Sequence, residues 1–252
     1  MAEPVADLRL FGLRGIPEVE AGADLAGLIL AALGELRLQP GDVLVLAQKM
    51  VSKAEGRLVP LREVEPSAFA ETFANAAGKD PRHVEIILRE ARRIVRMDRG
   101  LIICETRHGF ICANAGVDLS NVPGDHVACL LPIDPDSSAA ALRQALRERT
   151  GVEVGIIISD TFGRPWRDGV VNVAIGVAGL DPLQTFVGQT DSYGYELRTT
   201  IIAPADELAS AAELVMGKLD QVPAVLVRGF RHEPAEGSAR SLVRAAALDL
   251  FR

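Results

Sequence analysis

Cysteine and histidine are scarce in this chain, positive charge is in deficit, and no long apolar run occurs. Each shortage excludes something. The three cysteines, Cys104, Cys112 and Cys129, form no C-x-x-C pair and are odd in number, which argues against a disulfide framework. Each reads as a small buried hydrophobe. The four histidines, His83, His108, His126 and His232, have no H-x-x-x-H spacing, so a zinc site is not expected. Lysine and arginine number 27 against 34 acids, a net charge of −7. With no long basic run, sequence-independent binding of nucleic acid is not expected, since that depends on neutralising many phosphates. The longest uncharged apolar stretch, Leu25 to Gly34, is about half of what a membrane span needs. The start, MAEPVADLRL, has early acids and no apolar core of a secretory signal. A soluble, cytoplasmic protein is expected. No G-x-x-x-x-G-K-[ST], G-x-G-x-x-G or G-x-S-x-G string occurs, so no Walker loop, dinucleotide fingerprint or nucleophile elbow is indicated.

What is present suits a globular chain: 252 residues, 48% hydrophobic and 24% charged. That length fits one domain or two closely packed subdomains. Leu8 to Phe11 reads as a short strand. Asp24 caps a helix with Leu25, Leu28, Ile29 and Ala32 on one face. Val43 to Leu46 and Val154 to Ser159 are continuous apolar runs of strand length, the second ending in Asp160. Pro66 to Met97 reads as two helices broken at Gly78-Lys79-Asp80-Pro81, where Asp80 before Pro81 is a good N-cap. Leu101 to Cys104 and Gly109 to Ala113 look like paired strands. Asp136 and Ser137 open a helix that stops at Gly151. Thr199 to Ala203 reads as strand, Ala205 to Met216 as helix, Ala224 to Val227 as strand and about Ser238 to Leu250 as a last helix. Without strict βαβ alternation, the fold class is α+β, with mixed sheets and packed helices.

Four segments could carry chemistry. Asp160 and the Thr161 hydroxyl, at the end of a buried strand, are adjacent hard oxygen donors suited to Mg²⁺ or Mn²⁺; alternatively, Asp160 caps the turn that follows. Asp118 and Asn121 stand three apart, so one could bind a metal and the other a nucleotide hydroxyl or base edge, unless they only shape an Asx-rich turn. Lys49 and Lys53, four apart, share one face. That face is either solvated or a phosphate site. Trp166, between Arg164 and Arg167, is either ordinary packing or a platform for a flat heterocycle.

Taken together, nine segments resemble the F420-0:γ-glutamyl ligase family, in order and over nearly the whole chain: GIPEV (15–19), GDVLVLAQKMVSKAEGR (41–57), AGVDLSNV (115–122), LLPIDPD (130–136), ISDTFGRPWRDG (158–169), AIGVAGL (174–180), DSYGYEL (191–197), MGKL (216–219) and AVLVRGF (224–230). The resemblance implies a fold of that family in an intertwined homodimer, and a single domain over 1–252 without the flavin-binding-like C-terminal extension of some relatives. It implies a ligase that adds L-glutamate to F420-0, and further γ-linked glutamates, through an acyl phosphate. GTP would be the co-substrate, with Mg²⁺ or Mn²⁺ and K⁺ as cations. By resemblance, Ile16, Pro17, Glu18, Val19, Gln48, Lys53 and Asn121 contact the nucleotide, while Asp118, Asp160 and Thr161 hold metal. Two positions depart from the pattern: Gln48 replaces a small hydroxyl residue, and Lys218 falls in a segment that is MGE- or MGQ-like in the family. No protein nucleophile is implied. The alternatives are a non-catalytic nucleotide-binding regulatory module and a metal-dependent phosphohydrolase on the same fold.

Overall fold

The computed structural model describes residues 7–121, 124 and 126–249. Its main sheet is built from β1 (Arg9–Gly12), β2 (Val43–Ala47), β8 (Gly155–Arg164), β9 (Arg167–Ala178) and β12 (Ala224–Arg228). Their order across the sheet is β1-β12-β2-β8-β9. Only β2 and β8 run parallel; every other neighbouring pair is antiparallel. The apolar runs explain the centre. Val43 to Leu46 and Ile156 to Ile158 are wholly buried at consecutive positions, so both faces of these strands are covered. Helix α5 (Pro135–Thr150) packs on β8 and β9, α6 (Pro204–Met216) on β9, β1 and β12, and α1 (Leu25–Leu33) against α5.

A second cluster of buried residues lies around α3 (Ala68–Ala77) and α4 (Pro81–Glu90), against a sheet of β4 (Ala91–Asp98), β5 (Leu101–Thr106) and β6 (Ile111–Ala113). Smaller pairs are β3 (Leu58–Pro60) with β7 (Val127–Cys129) and β10 (Gln184–Thr185) with β11 (Ile201–Ile202). The short helix α2 (Gln48–Ala54) follows β2 directly. The mixed α+β architecture is as expected from the sequence. So are the Asp24 cap, the break between α3 and α4 at Gly78 with Asp80 capping, and the β5–β6 pairing.

Four expectations need correction. Residues 91–97 form strand β4 rather than continuing a helix. Ile94 and Val95 are β-branched, and Glu105 on β5 draws Arg92 and Arg93 into cross-strand ion pairs at 3.2 and 2.7 Å. Asp160 does not end its strand: β8 runs on to Arg164 and turns into β9. The segment from Ser238 makes only two 3-10 turns, Ala239–Leu242 and Ala246–Leu248, while Leu250 lies outside the described residues. The strand expected over Thr199 to Ala203 shrinks to Ile201–Ile202.

Helix α5 starts one residue earlier than expected, capped by Asp134 with Pro135 at its first position. This frees Asp136 for another task. Its Oδ1 accepts the backbone N–H groups of Val177 (2.8 Å) and Ala239 (2.9 Å), and its Oδ2 accepts the Ser238 hydroxyl (2.5 Å). One carboxylate thus ties α5, β9 and the C-terminal segment together. Asp136→Ala should lower stability by roughly 1–3 kcal/mol for the N–H groups left without an acceptor. Asp136→Asn, which keeps an acceptor oxygen, should cost clearly less. Urea denaturation of both variants checks this; equal losses would deny the clamp.

Candidate active site

The β2–β8 register positions the site. Ala47, the last residue of β2, faces Ser159 of β8. One step further, the chain after β2 enters α2 while β8 continues alone with β9, so α2 and the β8–β9 arm diverge. Between them opens a cleft of about 730 Å³. Its walls come from Ile16 to Val19, from Gln48, Lys49 and Lys53 of α2, from Asn121, from Ser159 to Thr161 and Asn172, and from the segment 216–223 after α6. Ile16, Pro17, Glu18, Val19, Gln48, Lys53, Asn121, Asp160 and Thr161 therefore border one space, although the sequence places them up to a hundred and more residues apart. Asp118 stands just behind it, reached through Lys49.

Lysines and acids alternate around the cleft. Lys49 Nζ donates to Asp118 Oδ2 at 2.5 Å, and Lys53 Nζ donates to Glu18 Oε1 at 2.5 Å. The two lysines occupy one side of α2 and neither is simply solvated; Lys53 is buried. Gln48, also buried, accepts the Ser52 hydroxyl at 2.8 Å one turn on. Asp118 is fixed by reciprocal backbone hydrogen bonds with Cys129, and its carboxylate accepts from the Ser120 N–H (2.8 Å) and hydroxyl (3.0 Å). It thus makes the Asx turn that its sequence suggested and also faces the cleft's lysine. Burial pushes the Asp118 carboxyl up, but the hydrogen bonds from Lys49 and Ser120 outweigh it and leave it below the usual carboxylate range.

Asp160 behaves oppositely. Loss of hydration, with repulsion from Asp118, raises it to about 6 despite the Thr161 N–H, Lys49 and Lys218. No turn follows for it to cap, so the capping alternative falls, and no described side chain donates a hydrogen bond to it. Thr161 lies opposite Asn172 across the β8–β9 pair. Its hydroxyl donates to Asn172 Oδ1 at 2.8 Å and accepts from Lys218 Nζ at 2.8 Å, while Lys218 also pairs with Glu213. Glu213 in turn accepts the Asn172 N–H at 3.0 Å.

Among the described residues there is no cluster of three or more His, Cys, Asp or Glu side chains placed to hold a metal ion. The donor set that fits one is smaller and of the hard-oxygen type. Asp118 and Asp160 are close enough for one carboxylate to raise the other, and the Thr161 N–H, Lys49 and Lys218 offset the charge of the half-buried Asp160 only in part. A divalent cation would relieve both.

Asn172 and Glu213 were missed in the sequence. Asn172 did leave a signal, a buried amide within the β-branched run Val170-Val171-Asn172-Val173. Trp166 takes no part: it sits at the β8–β9 turn with a φ of +56° and is 79% exposed, neither packed in the core nor lining the cleft.

Fold and cleft together define a class: an α+β protein whose cleft sets lysines beside carboxylates. The chain matches the F420-0:γ-glutamyl ligase family over residues 14–229, and it belongs to that family. It is 50% identical over 250 residues to the coenzyme F420:L-glutamate ligase of Methanothermobacter thermautotrophicus, covering 97% of this chain and 99% of that one. The protein of the same name from Methanopyrus kandleri is 53% identical over 240 residues, covering 93% and 94%. That from Archaeoglobus fulgidus is 40% identical over 246 residues, covering 97% and 96%.

The raised Asp160 carboxyl has a consequence for stability. A folded-state value above the unfolded one means that the folded chain holds the proton more tightly, so stability from this group is present at low pH and falls as pH rises between about 4 and about 6. At pH 7 in chelator, Asp160→Asn should therefore melt higher than the parent, with the gain vanishing below about pH 4. Added Mn²⁺ should raise the parent's melting temperature and leave that of the variant unmoved. Scanning calorimetry at three pH values checks both, and a variant that melts lower at pH 7 would count against the assignment.

Proposed function

We propose that this chain is a GTP-dependent ligase that joins L-glutamate to coenzyme F420-0 in coenzyme F420 biosynthesis, working in the cytoplasm, and that it goes on to add further γ-linked glutamates. The observation that carries this is the cleft, where two lysines on α2 and a third at Lys218 stand within the same 730 Å³ space as Asp160, a carboxylate raised to about 6. Polyphosphate needs the first; a divalent cation needs the second. The names of the relatives supply the substrates.

In this reading, Ile16 to Val19, Gln48, Lys53 and Asn121 contact the nucleotide, and Lys53 leaves Glu18 for a phosphate oxygen. Asp118 and Asp160 hold Mg²⁺ or Mn²⁺, while the neighbouring Thr161 hydroxyl leaves β8 on the opposite face. When bound, the ion supplies positive charge against the phosphates as the transfer proceeds. An oxygen of the F420-0 carboxylate attacks the γ-phosphorus, the bond to the β-bridging oxygen breaks, and GDP leaves. The amine of glutamate then attacks the acyl carbon, phosphate departs with the former carboxylate oxygen, and the nitrogen loses its proton. Cys104, Cys112 and Cys129 are buried and take no part; burial holds the Cys112 thiol up at about 12. The acyl phosphate must be kept from water, and the cleft walls it on several sides. The monovalent cation K⁺ belongs to the proposal on the family resemblance alone.

The test is direct. With F420-0, L-glutamate, GTP and Mn²⁺, the product mass should rise by one or more glutamyl units while GDP forms in step, and chelator should abolish both. Phosphate release that needs no glutamate would mark a phosphohydrolase instead, and nucleotide binding with no turnover would mark a regulatory module.

We also propose a homodimer. Large apolar side chains stand in solvent along the β8–β9 arm (Trp166, Val170), in the segment between β10 and β11 (Val187, Tyr193, Tyr195) and beyond α6 (Leu219). Exposure on this scale marks an interaction surface. Light scattering should give about twice 26.9 kDa, and a monomer at working concentration would contradict the proposal.

A further inference from the structure

Asp160 and Thr161 are neighbours on one strand, paired with Val173 and Asn172 respectively, so their side chains leave β8 on opposite faces. The two faces carry different charge. On the Asp160 face stand Asp118 and Lys49, an acid and its partner beside a second acid. On the Thr161 face the acid that meets the strand, Glu213, is committed. Glu213 pairs with Lys218 through Oε1 and accepts the Asn172 N–H through Oε2. The Thr161 hydroxyl has given its hydrogen to Asn172 and one lone pair to Lys218. A divalent ion seated on its remaining lone pair would lie beside the ammonium, like charge against like charge.

Lys218 itself is arranged for a ligand. An ammonium has three N–H donors. One goes to Thr161 and one to Glu213, which leaves the third free. The side chain is 55% exposed and borders the cleft. It follows Gly217, whose φ of +58° lets the chain turn back over the arm after α6; a Cβ there would also collide with the Asp220 carboxylate at 2.0 Å.

We propose that Lys218 is the cleft's second positive pole: its free N–H contacts the transferring phosphate on the Thr161 face, so that this chain works with one divalent ion, at Asp118 and Asp160, rather than two. The inference rests on the nucleotide-binding reading above and deepens it. A phosphoryl group in flight is commonly clamped by two cations, and a lysine held by a hydroxyl and a carboxylate supplies one of them without needing a metal.

The test counts ions. Mn²⁺ bound per chain is measured by electron paramagnetic resonance of the free ion, in the presence of saturating guanylyl imidodiphosphate, for the parent, Lys218→Gln and Lys218→Arg. Lys218 lies on an exposed segment, and equal melting temperatures in metal-free buffer would confirm that the variants fold. The parent and Lys218→Arg should bind one Mn²⁺ each. Lys218→Gln, which replaces the charge by an amide oxygen, should bind two. Two ions on the parent, or a single ion on Lys218→Gln, would overturn the role of Lys218 and leave the nucleotide site standing. A parent that binds neither the analogue nor Mn²⁺ would overturn the site reading itself.

Discussion

Five residues of β2 lie in unbroken parallel register with five of β8, Val43 to Ala47 against Gly155 to Ser159, and the rest of the molecule is arranged around that ladder. Being buried on both faces, it needs helices above and below, which α5 and α6 supply. Because it stops at Ala47 and Ser159, the two chains part there, one coiling into α2 and the other continuing as an arm. The cleft is the space left by that parting. Its chemistry is therefore set at residues one to six positions past the ladder's end: Gln48, Lys49 and Lys53 on one side, Asp160 and Thr161 on the other. A slip of one residue in this register would turn Asp160 to the far face of the arm.

The charges of the cleft are balanced in pairs, Lys49 with Asp118, Lys53 with Glu18 and Lys218 with Glu213. Asp160 is the acid left over. On the proposed function, entry of a polyanion and a cation would be an exchange of partners. Lysines would turn from carboxylates to phosphates, and a carboxylate so released would meet the incoming cation. Charge is redistributed with little net burial of unpaired groups, which limits the desolvation that would otherwise oppose binding.

The legible parts of the sequence were those in which a local rule and the tertiary environment agree. Val43 to Leu46 and Ile156 to Ile158 read as buried strands because nothing polar interrupts them, and Gly78 with Asp80-Pro81 separates α3 from α4 by stop and start signals that need no distant partner. Most of the site was legible for another reason: several short segments, read in order, point to one family. What escaped were features decided by contacts across the chain. Residues 91–97 follow a helix without a break, yet Glu105 claims their arginines for a sheet. Asp136 looks like a helix opener until Val177, Ser238 and Ala239 are seen around it. The Thr161–Asn172–Glu213–Lys218 set joins positions more than fifty residues apart, and no local spacing announces it.

The order of strands in the main sheet bears on how the chain is made. β12, which sits between β1 and β2, is supplied by residues 224–228, more than two hundred residues after β1. Until those residues leave the ribosome, β1 has no neighbour in the sheet, and β2 has an open edge on the side opposite β8. The N-terminal strand must wait through more than two hundred residues of elongation for its first partner. Closing the sheet is thus a late event with a long loop to close, which makes folding slow and leaves an apolar strand edge exposed meanwhile. A chain cut short before residue 224 would keep the parallel ladder of β2 and β8 yet remain open through the middle of its sheet, prone to pair with the same edge of another unfinished chain.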